Sequence, residues 1–406
     1  MAGGTVPAVV SPGISNDRLG TEVDSAGLWG LRGLAAGTLL LPHVAIVTTD
    51  YHPTEWVAQF ATATTTFVHI FLIQSAFLLG RGFLRRQAAG QPAAPVVSYL
   101  WGRATRLLPG YWLMLFIAVP IIHLATWKNP LDTGAALLAL NVYSVPALLA
   151  SPIMVWCLQV EVGFYLLLPI HDRISRKLVG IGKFAEAPML QLLAMYAVIG
   201  ILFITMVYVG GWKVGFTWPF AYLNTFALGL GLAVVDITRP AGVPGNRRPR
   251  LNANWSMLIA ILILGVVIAS RLQVEAVNIT LPVPLWQSLV RRFANDMAAF
   301  FLVAAFVFPD GRRTLVRDVL TSRPAIWLGQ RSFHVYLWNI PVIVQLDRWF
   351  RGSGRAHLPY FELLGLSFLC CFVVAEVAHR ISDPVSQWLR GVGPGSPRQR
   401  KAAVTA

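Results

Sequence analysis

The chain has 406 residues, 56% of them hydrophobic and 13% charged, with a formal net charge of +15 and a mean hydropathy of +0.61. Soluble chains average about 25% charged residues, so this composition excludes an ordinary soluble domain. The positive charge is not a nucleic-acid patch either. The basic residues punctuate apolar runs near the ~20 residues that a bilayer span needs, which is a pattern of membrane topology. The expected class is all-α: a polytopic membrane protein with about ten transmembrane helices.

Residues 1–27 hold Pro, Gly, Ser and Asp with little periodicity and read as a flexible cytoplasmic arm. The first apolar run begins near Leu28 without a small-residue cleavage site, so it is expected to stay as a helix rather than leave as a signal peptide. Apolar patterning predicts helices over 28–49, 60–80, 107–126, 153–171, 188–209, 217–236, 254–270, 292–308, 324–346 and 358–380. A membrane domain over 28–385 and a basic cytoplasmic tail over 386–406 follow. The piece 127–152, with Pro130, Pro146 and Pro152, reads as re-entrant or interfacial. Arg81, Arg85, Arg86, Arg173, Arg176, Lys177, Arg247, Arg248, Arg312, Arg313 and the tail's Arg398, Arg400 and Lys401 follow the even-numbered segments and the last one. The links after the odd-numbered segments hold fewer. The positive-inside rule then places both termini in the cytoplasm of a bacterial plasma membrane. Abundant Ala, Gly and Arg point to a GC-rich bacterial genome. No internal repeat is visible, which weakens a transporter built from duplicated halves. The cysteines, Cys157, Cys370 and Cys371, all lie in apolar stretches, which argues against a disulfide framework or a metal cluster.

The chemistry begins in Leu31–His43. Arg32 and His43 lie eleven residues apart, about three turns plus 20°, so a continuous helix puts both on one face about 16 Å apart. An arginine at a helix centre in lipid costs about 2.5–3.5 kcal/mol. Arg32 also reads as a snorkelling end-of-helix cation, and His43 as a packed histidine after Pro42. In Trp156–Pro169, Glu161 is a carboxylate inside a span. It needs a partner, for which His43 and an arginine of the second or third helix are candidates; a structural ion pair is the plain reading. In Leu328–Pro341, Tyr336 and Asn339 share a face at i, i+3, where interhelical hydrogen bonding explains them as well as a site does. Arg81, Arg85, Arg86, Arg103 and Arg106 bracket one cytoplasmic link and suit phosphate, although topology alone accounts for them. His69, Asn224 and Asp296 are intramembrane polar residues without a clear partner, and Asn278–Thr280 is a glycosylation sequon that means little in a bacterium.

Taken in order, these motifs resemble the acyltransferase 3 family of membrane O-acyltransferases over about 30–390. Arg32 and His43 resemble its first-helix motif. The stretch Phe71 to Leu78 is similar to its Phe-Phe-Val-Leu-Ser-Gly-Phe-Leu segment, and Arg103, Arg106, Pro109 and Tyr111 to its Arg-rich third-helix entry. Trp156 to Pro169 resembles its Trp-Ser-Leu-Ser-Val-Glu-Glu block, while Leu328 to Pro341 and Arg380 to Pro384 resemble its last two segments. Three residues depart: Val162 for the second glutamate, Ala76 for a glycine, and Asn339 where Tyr-Leu-Trp-His is common. The resemblance implies acyl transfer, usually acetyl, from acyl-CoA to a hydroxyl of a glycan, a glycolipid such as a trehalose mycolate, or a macrolide. Acyl-CoA is a donor substrate there, with no resident cofactor or metal. It implies His43 as general base or acyl carrier, with Glu161 orienting it or binding acceptor. Arg32, Arg85, Arg86, Arg103 and Arg106 would hold the donor, and Ser75, Tyr165, Tyr336 and Asn339 would line the substrate path. The competing class is a transporter or flippase for a lipid-linked sugar, which would leave its cargo unaltered.

Overall fold

The structure, a computed structural model, describes residues 23–47, 60, 63–122, 130–140, 143, 155–179, 185–243, 245, 247–270, 284–352 and 358–394. Most of the expected arm, most of 127–152, the sequon and the tail's last basic residues lie outside these. The helices are α1 (Ser25–Thr38), α2 (Leu40–Val47), α3 (Phe67–Ala88), α4 (Val96–Ile122), α5 (Pro130–Leu137), α6 (Trp156–Val179), α7 (Glu186–Val209), α8 (Leu223–Thr238), α9 (Ala253–Ala269), α10 (Leu285–Val307), α11 (Leu315–Leu320), α12 (Arg323–Gly352) and α13 (Tyr360–Val392). The expected all-α class is what the described residues show.

Among them, four helical spans are long and apolar enough to cross a bilayer: Phe67–Ala88, Glu186–Val209, Pro219–Thr238 and Tyr360–Val392; Ala253–Ala269 is apolar but shorter. The expected count of about ten spanning helices is therefore not reproduced. Part of the reason is local. Pro42 has no N–H to give the Thr38 carbonyl and so cannot continue the helix ladder there. The first predicted helix breaks at Leu39, and Thr64 Oγ1 donates to the Thr38 oxygen instead at 3.2 Å. The rest is composition: α6, α10 and α12 carry buried polar residues that dilute their hydropathy.

Several helices also run past their predicted ends. Arg81, Arg85 and Arg86 lie inside α3, and Arg173, Arg176 and Lys177 inside α6. Long basic side chains are good helix formers and sit favourably near a helix C-terminus. At the end of α3, Gly90 takes a φ of +66° that glycine tolerates.

α1 lies in the middle, packed on α12, α3, α10 and α11. Its start is held by Asp24, whose Oδ1 accepts from the Gly27 N–H at 3.0 Å while Oδ2 takes Arg317 Nε at 2.9 Å. Glycines let α1 and α12 touch backbone to backbone. A Cβ on Gly33 would stand 2.8 Å from the Ala325 carbonyl oxygen, and one on Gly329 1.9 Å from that of Trp29; one on Gly30 would stand 1.8 Å from the Leu320 oxygen at the end of α11. This contact seats Arg32 against the middle of α12. The α3 span is 72% buried, whereas those of α7 and α13 are 28% buried. Leu202, Met206 and Val209 of α7 are among the apolar side chains left on the outside, a surface stable against lipid and costly in water. The chain is a multi-pass membrane protein.

Candidate functional site

A cavity between α1, α3, α6 and α12 is lined by Arg32, Phe71, Cys157, Leu158, Glu161, Ser332, Phe333 and Tyr336. The Arg32 guanidinium lies 5.3 Å from the Phe71 ring centroid and 6.0 Å from that of Trp29, and its Nε is buried without a hydrogen-bond partner. Aromatic faces attract a cation without neutralising it. Glu161 and Arg106 lie within electrostatic range of Arg32.

Glu161 is not bonded to His43 or to an arginine. Its Oε1 accepts from Ser75 Oγ at 2.5 Å and from Tyr165 Oη at 2.6 Å. Tyr165 stands one turn further along α6, so the helix itself supplies one donor, and α3 supplies the other. His43 is held elsewhere: its Nδ1 meets Asn339 Oδ1 at 2.7 Å, and Asn339 Nδ2 donates to the Tyr336 carbonyl oxygen at 2.7 Å. The ring's partner is thus a buried amide on α12 rather than the expected carboxylate on α6. The Tyr336 hydroxyl in turn hydrogen-bonds the backbone at Leu158 and Cys157, in the first turn of α6, where a helix leaves N–H groups unpaired. Tyr336 and Asn339 therefore link the cavity wall to His43.

The family model for the acyltransferase 3 domain, described as an acyltransferase domain, matches residues 25–376. The chain belongs to this family. It is 24% identical over 384 residues to YrhL of Bacillus subtilis, named for peptidoglycan O-acetylation, a match covering 88% of this chain and 54% of that protein. It is 26% identical over 91 residues to the O-acetyltransferase OatA of Staphylococcus aureus, covering 22% of this chain and 14% of that one. The chain thus spans about half or less of these curated relatives. No solved structure matches it.

Against this family frame the predicted donor-binding arginines divide. Arg103 and Arg106 share a face of α4 and lie within electrostatic range of Tyr165 beside the cavity. Arg86 donates to the Pro92 carbonyl oxygen at 3.0 Å, and the exposed Arg85 lies 3.8 Å from Asp236. Asp236 also takes Arg81 at 2.5 Å and Arg248 at 2.8 Å. Arg86 thus rests on the link after α3, and Arg85 lies exposed near Asp236.

The sequence also left a cluster unassembled. His69 Nδ1 meets Asp296 Oδ1 at 2.7 Å, Thr225 Oγ1 donates to the same oxygen at 2.7 Å, and Asn224 Nδ2 donates to Oδ2. The residues that lacked a clear partner are one another's partners, across α3, α8 and α10. Cys157, Phe71, Ser332 and Phe333 were not singled out as site residues. Their one sequence signal is proximity to Glu161, Ser75 and Tyr336 within the three quoted motifs.

Proposed function

We propose that this protein is a membrane O-acyltransferase that moves an acyl group, acetyl by analogy with its relatives' names, from acyl-CoA to a hydroxyl of a cell-wall-type glycan. The observation that carries the reading is Arg32: a partly buried cation on a cavity wall, whose buried Nε has no acceptor. Such a group is stable once an anion or carbonyl of a ligand completes it. Acyl-CoA offers phosphates and a thioester carbonyl, and Arg103 and Arg106 extend the positive field along one side.

In the proposed reaction the His43 imidazole takes the proton of the acceptor hydroxyl as that oxygen attacks the thioester carbonyl. The C–S bond breaks, and the sulfur of CoA receives the proton. Glu161, held by two hydroxyls, binds a donor group of one substrate through its remaining oxygen. The distribution of Lys and Arg supports cytoplasmic termini, which would bring CoA to Arg32 from the cytoplasmic side. The relatives' names favour a glycan acceptor over a glycolipid or a macrolide.

The test is mass spectrometry of wall glycans and envelope lipids from cells carrying the wild type, His43→Ala or a deletion. Loss of one acetylated species in both mutants supports the reading. Full acetylation by His43→Ala at equal protein level removes His43 from the chemistry, and a deletion that only relocates an unaltered lipid replaces the enzyme with a transporter.

A further inference from the structure

Asn339 is wholly buried, with 0% of its surface exposed, and its amide is held at both ends. Nδ2 donates to the Tyr336 carbonyl oxygen and Oδ1 faces His43 Nδ1, each at 2.7 Å. Turning the amide over would press its oxygen against the Tyr336 oxygen, two acceptors with no hydrogen between them. Oδ1 is therefore fixed as the atom facing the ring. A carbonyl oxygen only accepts, so the hydrogen between the two residues belongs to His43 Nδ1. In the neutral ring the lone pair then sits on Nε2.

The geometry points to Asn339 as a positioning residue that locks His43 in the Nδ1–H tautomer and leaves Nε2 as the atom that takes the proton of the acceptor hydroxyl. This deepens, and rests on, the acyltransferase reading above. A carboxylate performs this task in hydrolase triads, where it also offsets the charge of the imidazolium. Here the carboxylate of the cavity wall, Glu161, is committed to Ser75 and Tyr165. The amide orients the ring without bringing a second charge into an apolar interior. With no counter-charge on its partner, His43 relays the proton rather than storing it: Nε2 takes it from the hydroxyl as the C–O bond forms, and gives it to the CoA sulfur as the C–S bond breaks.

The experiment uses the full chain in lipid nanodiscs, as wild type, Asn339→Leu, Asn339→Asp and His43→Gln. Acetyl-CoA turnover is measured alongside 15N spectra of histidine-labelled protein. Wild type should show a neutral Nδ1–H histidine that disappears in His43→Gln and changes tautomer in Asn339→Leu. Asn339→Leu should lower kcat about 100-fold or more, a wrong-tautomer loss, with the KM for acetyl-CoA within about twofold. Asn339→Asp keeps an acceptor at the same place and should recover to within about tenfold of wild type. An unchanged tautomer and kcat in Asn339→Leu would overturn the proposal. So would equal losses in the Leu and Asp variants with the wild-type tautomer retained, which is the mark of a structural residue. If wild type itself consumes no acetyl-CoA, the acyltransferase reading fails and takes the reacting role of Nε2 with it. The spectra then still decide whether Asn339 holds the ring.

Discussion

A guanidinium among apolar side chains is stabilised by a carboxylate, by carbonyls, or by a ligand that arrives later. Arg32 has two aromatic faces and no acceptor at Nε. If its partner is the donor substrate, Arg32→Gln removes a charge-assisted contact of about 1.5–3 kcal/mol. The KM for acetyl-CoA should rise about 10- to 100-fold in steady-state assays, while thermal stability in detergent stays level or improves. Arg85→Gln should leave that KM unchanged, because Arg85 is exposed and faces Asp236. Glu161 belongs to the same scale. Removing its two donors together, in Ser75→Ala with Tyr165→Phe, leaves the carboxylate unsatisfied at about 1–3 kcal/mol for each lost bond. Melting temperature should fall in the double variant, and Glu161→Gln should lose less of it.

At the scale of elements, the break between α1 and α2 follows from one missing N–H. Thr64 answers the carbonyl that Pro42 leaves behind. Thr64→Val should therefore destabilise the wild type by about 1–3 kcal/mol. In a Pro42→Ala background, where residue 42 again donates to Thr38, the same change should cost much less. A double-mutant cycle on melting temperatures reads the difference, and equal effects in both backgrounds would refute the account. The contact of α1 with α12 makes a second prediction. Gly329→Ala drives a methyl into the Trp29 carbonyl, so the helices must part; overpacking of this kind costs about 1–3 kcal/mol. Both activity and stability should drop, whereas Gly365→Ala, with open space at its Cβ, should change neither.

Across the whole molecule, buried polar groups tie together helices that are distant in the chain. His69 and Asp296 are 227 residues apart and bridge α3 to α10, with Asn224 and Thr225 bringing in α8. His69→Leu leaves a carboxylate that is 1% exposed without its imidazole. Breaking such a pair costs about 3–5 kcal/mol, while replacing both members by apolar residues is often near neutral. His69→Leu should thus melt well below wild type, and the double variant with Asp296→Leu should regain much of the loss. The cavity offers a readout independent of turnover. Cys157 lines it, so in a Cys370→Ser, Cys371→Ser background bound CoA should slow maleimide labelling of Cys157. Equal labelling with and without CoA would place the donor elsewhere.

The sequence by itself determined the class of the molecule. Hydropathy sets membrane insertion, and backbone hydrogen bonding in lipid then demands helices. It also marked Arg32, His43 and Glu161, because a polar residue inside an apolar run is conspicuous whatever the fold. Local chemistry was in the sequence too, in the N–H that Pro42 lacks and the one-turn spacing of Glu161 and Tyr165, but the apolar pattern predicts one helix over 28–49 and no bond between those two. Only the tertiary structure decided the partners. Asn339 holds His43, Ser75 holds Glu161, and Asp296 holds His69, each pair 86 residues or more apart in the chain. Helical periodicity says which face a residue occupies and nothing about which helix that face meets. That choice depends also on how closely backbones approach, as those of α1 and α12 do at Gly33 and Gly329, which a hydrophobic pattern does not record.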